Sequence, residues 1–189
     1  MKLTNIWMRW IVKTTTEIRK EIEGLVKQYA QIEFKEKKFE PGKTVIPAAG
    51  KVIGESELQY MVSASLDGWL TTGRFNEKFE NELANFIGVK NLITVNSGSS
   101  ANLVAFSTLT SPKLGNRAIK KGDEVIAVAA GFPTTINPII QFGAIPVFID
   151  VKLGTYNIDE NQIESAITDK TKAIMLAHTL GNPFNIKVI

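Results

Sequence analysis

The sequence has no cysteine and one histidine, His178, among its 189 residues. The first absence excludes a disulfide framework, a thiolate zinc site, a cysteine nucleophile and any iron–sulfur cluster held by this chain. The second excludes a histidine-rich metal centre. Excess charge of one sign is also lacking: the net charge is +3, and it belongs to residues 1–43, with ten basic and six acidic side chains against a net −1 for the remainder. A nearly neutral main body carries no nucleic-acid footprint. No apolar run approaches the ~20 residues of a spanning helix. The apolar patch Ile6, Trp7, Met8, Trp10, Ile11 and Val12 is broken by Arg9 and lacks a small-residue cleavage site after it. It makes a poor signal peptide, and a cytoplasmic protein is expected.

What remains, 44% hydrophobic and 22% charged residues, is the composition of a globular chain with one good core. Thr14 and Glu17 form a capping-box pair, after which Ile18, Ile22, Leu25, Tyr29 and Ile32 recur at helical spacing. Their helix is expected to bury that stripe and to solvate Arg19, Lys20, Glu23, Lys27 and Gln28. Phe39-Glu40-Pro41-Gly42-Lys43 punctuates the chain, giving an N-terminal extension over 1–43 and a main body over 44–189. In that body helices are expected over Glu55–Leu66 and Asn76–Ile87. Short β-rich runs at Leu92–Val95, Glu124–Ala129, Ile145–Val151 and Ala173–Ala177 then alternate with helical patterns at Ser99–Leu109, Thr134–Phe142 and Glu160–Ile167. Such alternation specifies an α/β fold with a mainly parallel sheet and helices on both faces.

Ligands of such sheets bind beyond the carboxyl ends of the strands. After the first run comes Asn96-Ser97-Gly98-Ser99-Ser100-Ala101-Asn102, opening a helix. Gly98 permits a tight turn and close approach, and Ser99 and Ser100 add hydroxyls beside free N–H groups where the helix dipole favours an anion. An ordinary capped turn is the plain alternative. After the second run, Phe132 could stack on a planar ligand or simply fill a core beside Pro133. An anion nest next to an aromatic plate suggests a phosphorylated aromatic cofactor. Asp159 is most simply an N-cap, His178 a structural hydrogen-bonding residue, and Asn182 either a polar contact or a turn former in Gly181-Asn182-Pro183.

At these residues the chain resembles a known family. Asp67-Gly68-Trp69-Leu70-Thr71-Thr72-Gly73-Arg74, the Asn96–Asn102 turn, Gly122-Asp123-Glu124-Val125-Ile126 and Pro146-Val147-Phe148-Ile149-Asp150-Val151 follow the order and spacing of the DegT/StrS-type nucleotide-sugar aminotransferases. Ala129-Ala130-Gly131-Phe132-Pro133-Thr134-Thr135 and Ala177-His178-Thr179-Leu180-Gly181-Asn182-Pro183-Phe184 resemble its CDP-6-deoxy-4-keto-glucose 3-dehydratase branch. The resemblance implies part of the large domain of a fold type I pyridoxal-phosphate enzyme. It also implies pyridoxamine 5'-phosphate or pyridoxal 5'-phosphate as cofactor, with a CDP-linked 4-keto-6-deoxyhexose dehydrated at carbon 3 for lipopolysaccharide O-antigen. Gly98, Ser99 and Ser100 would bind the phosphate, Phe132 would stack on the ring and Asn182 would contact the cofactor. Trp69, Thr72 and Arg74 would shape the substrate end.

In relatives the pyridine-nitrogen acid, the base and the cysteines of a [2Fe–2S] cluster lie downstream of the matching segment, so no catalytic residue is assigned here. The expectation is an N-terminal fragment, inactive alone, of an enzyme that is a homodimer with a reductase partner. A sugar aminotransferase and a non-catalytic remnant are the alternatives.

Overall fold

The computed structural model describes residues 13–35, 38–47 and 49–189; the apolar patch of residues 6–12 lies outside them. The chain divides into two compact units, Met1–Leu92 and Ile93–Ile189.

The first unit holds α1 (Thr15–Glu33), α2 (Glu55–Leu66) and α3 (Arg74–Ile87). The capping box that opens α1 is present: Glu17 N–H donates to Thr14 Oγ1 at 3.2 Å, and Thr14 N–H donates to Glu17 Oε2 at 2.7 Å. Two of the four orphan donors of a helix start are thereby satisfied. The expected burial of α1 is corrected, however. Leu25, Tyr29 and Ile32 are 64%, 58% and 79% exposed and Ile18 is exposed as well, whereas Ala30 is buried. Polar residues also tie α1 to α2. Arg19 donates to Ser63 and Asp67, Gln31 donates to Glu55, and Lys27 pairs with Glu55 at 2.7 Å. Ile22, Val26 and Ala30 are the apolar residues of α1 that are covered, and the rest of the expected stripe is exposed. α3 begins two residues before its expected start and stops at Gly88, whose φ of +80° is the left-handed conformation that glycine adopts without strain.

The second unit is a three-stranded parallel sheet, ordered β2-β1-β3, of β1 (Glu124–Ala127), β2 (Ile145–Phe148) and β3 (Thr171–Ile174). α4 (Gly98–Leu109) and α5 (Pro133–Gln141) pack on one face, and α6 (Ile163–Ala166) on the other. The central strand shows why. Val125 and Ala127 join Phe106 and Ile139 in one core, while Ile126 and Val128 join Ile149, Ile158 and Ile163 in the second. Side chains of a strand alternate, so a strand with no polar alternate must be covered twice.

Three expectations need correction here. Leu92–Val95 joins no ladder among the described residues, and a strand exists only through a partner. β1 and β2 end earlier than expected and β3 starts earlier: the ladder stops where β1 stops, with last bonds from Ile149 N–H to Ala127 O and from Met175 N–H to Ile126 O. The expected helix over 160–167 is a 3₁₀ turn, Glu160–Gln162, followed by the short α6. Asp159 caps it as expected, accepting from Asn161 N–H, while Gln162 N–H bonds back three residues and tightens the turn.

Candidate functional site

α4 and α5 both begin at the carboxyl edge of the sheet, α5 directly after β1. Ser97 is the N-cap of α4: its Oγ accepts from Ser100 N–H at 3.2 Å and lies 3.2 Å from Ser100 Oγ. Ala101 N–H bonds to Ser97 O. Of the donors at this helix start, Gly98 N–H and Ser99 N–H keep no partner among the described residues. A Cβ at Gly98 would meet nothing within 4 Å, and its φ lies outside the left-handed region. The turn does not need glycine, which corrects one of the two reasons offered for it. The space that a side chain at Gly98 would occupy is open. Ser99, Ser100 and Leu103 share a cleft of about 210 Å³ with Thr134, Asn137, Pro138 and Gln141. The polar lining from α5 escaped sequence reasoning, because only the packing of the two helices brings it there.

Phe132 is the N-cap residue of α5 and is 71% exposed. The core alternative for its ring is thereby excluded. Asn182 closes the 3₁₀ turn Thr179–Gly181 after β3; its carbonyl accepts from Asn157 Nδ2 at 2.9 Å. His178 is structural: its Nδ1 accepts from Phe184 N–H at 3.3 Å, and the two rings lie 4.1 Å apart. The Ser99–Ser100 turn and the α5 side chains meet in one cleft, whereas Phe132 and Asn182 share only the carboxyl edge of adjacent strands.

Trp69, Thr72 and Arg74 lie in the first unit, in the turn between α2 and α3. Trp69 Nε1 donates to Thr72 O at 2.9 Å, and Gly73 sits beneath the indole, where a Cβ would lie 3.3 Å from Trp69 Cδ1. Arg74 is held by Asp67 and Ser63, and Asp67 also receives Arg19. Hydrogen bonding from Arg74, with Arg19 adding to it, holds the Asp67 carboxyl below the usual carboxylate range and raises Arg74 in turn. The guanidinium, held by Asp67 and Ser63, lines a cleft of about 360 Å³ together with Trp69, Thr71 and Thr72.

Residues 51–189 match the model of the DegT/DnrJ/EryC1/StrS aminotransferase family. The chain belongs to that family. The family match contains the α4 turn, Phe132 and the Trp69–Arg74 turn alike. The chain is 61% identical over 176 residues to the lipopolysaccharide biosynthesis protein RfbH of Salmonella typhimurium, covering 93% of this chain and 40% of that protein. It is 53% identical over 146 residues to the dTDP-4-dehydro-2,6-dideoxy-D-glucose 3-dehydratase of Saccharopolyspora spinosa, covering 77% and 32%. A crystal structure of GDP-4-keto-6-deoxymannose-3-dehydratase with a trapped PLP-glutamate geminal diamine superposes with a TM-score of 0.70 at 35% identity, over 75% of this chain and 36% of that one. The parallel sheet and its helices thus have the fold type I architecture of the family's pyridoxal-phosphate enzymes. The chain spans less than half the length of these relatives.

Proposed function

We propose that this chain carries the phosphate-binding and ring-stacking part of a sugar-nucleotide 3-dehydratase, an enzyme that removes the carbon-3 hydroxyl of a nucleotide-linked 4-keto-6-deoxyhexose in deoxysugar biosynthesis. The observation that carries the reading is the pair of free N–H groups, Gly98 and Ser99, opening a 12-residue helix onto open space at the carboxyl edge of a parallel sheet. A phosphate monoester fits that donor set, and a pyridine ring fits the exposed face of Phe132. Bound there, pyridoxamine 5'-phosphate supplies an electron-accepting ring that lets the hydroxyl beside the sugar's keto carbon depart.

The chain's own residues bind and orient. Gly98 and Ser99 donate backbone N–H to the phosphate, and the Ser99 and Ser100 hydroxyls add donors. Phe132 covers one ring face and keeps water from it, and Asn182 offers a polar contact at the neighbouring strand end. Trp69, Thr72 and Arg74 lie in the turn that the resemblance assigns to substrate, with Arg74 holding that turn through Asp67. No residue is assigned as base. A [2Fe–2S] cluster does not fit this chain, which has no cysteine, and no step is routed through one. The reading includes a reductase partner, a homodimer and a preference for CDP, which the name of neither sugar-nucleotide dehydratase among the relatives prints.

The test is incubation of the chain, and of the longest reading frame containing it, with pyridoxamine 5'-phosphate and the CDP-, dTDP- and GDP-linked 4-keto-6-deoxyhexoses. Mass spectrometry follows loss of one water. Dehydration with the CDP sugar preferred is expected. Glutamate-dependent formation of an amino sugar instead assigns the aminotransferase alternative, and neither product from the longer frame overturns the reading.

A further inference from the structure

The segment between β2 and the 3₁₀ turn before α6 holds a buried polar side chain that the proposed chemistry does not use. Asn157 is 4% exposed and is the one buried polar residue among those described. Its backbone is fully engaged: the carbonyl accepts from Lys152 N–H at 2.9 Å, and its N–H donates to Thr155 Oγ1 at 3.4 Å. Its amide then reaches across to the loop after β3. Oδ1 accepts from Thr179 N–H at 3.1 Å, and Nδ2 donates to Asn182 O at 2.9 Å. These two bonds bracket Leu180 and Gly181, at φ of +55° and +76°. Left-handed backbone is disfavoured for a leucine, and Leu180 is 89% exposed, so its own side chain gives no packing that holds it there. Glu160, from the same segment, accepts from Asn185 N–H just beyond and pairs with Lys152.

We propose that Asn157 is a positioning residue: a bidentate amide clamp that imposes the left-handed Leu180–Gly181 turn and so fixes Asn182 at the cofactor edge of the sheet. What the loop is fixed toward rests on the cofactor reading above; the clamp itself does not. An asparagine is required because one atom must accept and the other donate. Aspartate keeps the acceptor and loses the donor, and leucine loses both at similar volume, so the turn loses one of its two ties in the first variant and both in the second.

The test compares the chain with its Asn157→Asp and Asn157→Leu variants by amide hydrogen exchange and by titration with pyridoxamine 5'-phosphate. Exchange at Thr179 is expected to accelerate about fivefold or more in Asn157→Leu, which removes its acceptor, and by less in Asn157→Asp, which keeps it, as loss of a hydrogen bond of about 1 kcal/mol implies. The Val125–Ala127 amides should be unchanged in both, which separates an opened loop from an unfolded unit. Cofactor affinity should fall in the order parent, Asp, Leu. Unchanged Thr179 exchange in Asn157→Leu overturns the clamp, and faster exchange with unaltered affinity overturns its positioning role. Absence of saturable binding by the parent counts against the cofactor reading, and exchange alone then decides the clamp.

Discussion

Arg74 grips Asp67 with two nitrogens, Nε to Oδ2 at 2.8 Å and Nη2 to Oδ1 at 3.3 Å. Asp67 is the C-cap of α2 and Arg74 the first residue of α3, so each charge sits at the helix end where the dipole disfavours it. The pair offsets both penalties at once and closes the turn that carries Trp69 and Thr72. Asp67→Asn is predicted to lower the melting temperature, because it leaves Arg19 and Arg74 converging on a neutral group. In high salt the loss should shrink. Melting curves in low and high salt check this, and a variant that melts with the parent in both refutes the role given to the pair.

Acid should act through the same carboxylate. Its folded value lies below the unfolded carboxylate value of about 3.9. A depressed acid contributes stability that is complete above the unfolded value and is lost as pH falls through the folded one. The stability difference between the parent and Asp67→Asn should therefore be constant from neutral pH to about 5 and close below about 4. A difference that persists undiminished well below that range contradicts the assignment.

At α4 the capping and ligand-binding roles fall on different residues. Ser97→Ala is predicted to cost about 1 kcal/mol, read by chemical denaturation, since it orphans Ser100 N–H. Gly98→Leu should leave stability within about 0.5 kcal/mol, because its side chain enters open space, yet it should abolish phosphate binding. Equal effects of the two substitutions on stability would argue against this division.

Ile126 and Phe132 should separate core from site in the same way. Ile126 is fully buried in β1, and Ile126→Ala is predicted to cost about 2–5 kcal/mol. Phe132→Ala, at an exposed position, should change stability by less than about 0.5 kcal/mol. Loss of its stacking on a bound ring should weaken pyridoxamine 5'-phosphate by about 1 kcal/mol, roughly fivefold. Denaturation and titration of both variants give the four numbers needed.

What the sequence made legible was what is settled locally. Thr14 and Glu17 are three residues apart and cap α1 without help from the rest of the chain, and Asp159 does the same for its turn. The alternation of β runs and helices placed the parallel sheet because a strand apolar on both sides, such as Val125-Ile126-Ala127, must be covered twice. Decisions made by distant partners stayed hidden. The stripe of α1 is apolar, yet most of it stays exposed while Arg19 and Lys27 pair with Asp67 and Glu55. Leu92–Val95 has strand composition but is in no ladder among the described residues. The α4 turn is legible in its Gly-Ser pattern, whereas Asn157 is one polar residue among several between β2 and α6, and only its bonds to residues about twenty-five positions away show its use.

The most direct test of the central claim is equilibrium titration of the chain with pyridoxamine 5'-phosphate, whose amine cannot condense with surface lysines as pyridoxal phosphate does. The account predicts saturable one-to-one binding, competed by inorganic phosphate, lost in Gly98→Leu and weakened in Phe132→Ala. Absence of saturable binding, or binding that both variants retain at the parent's affinity, contradicts it.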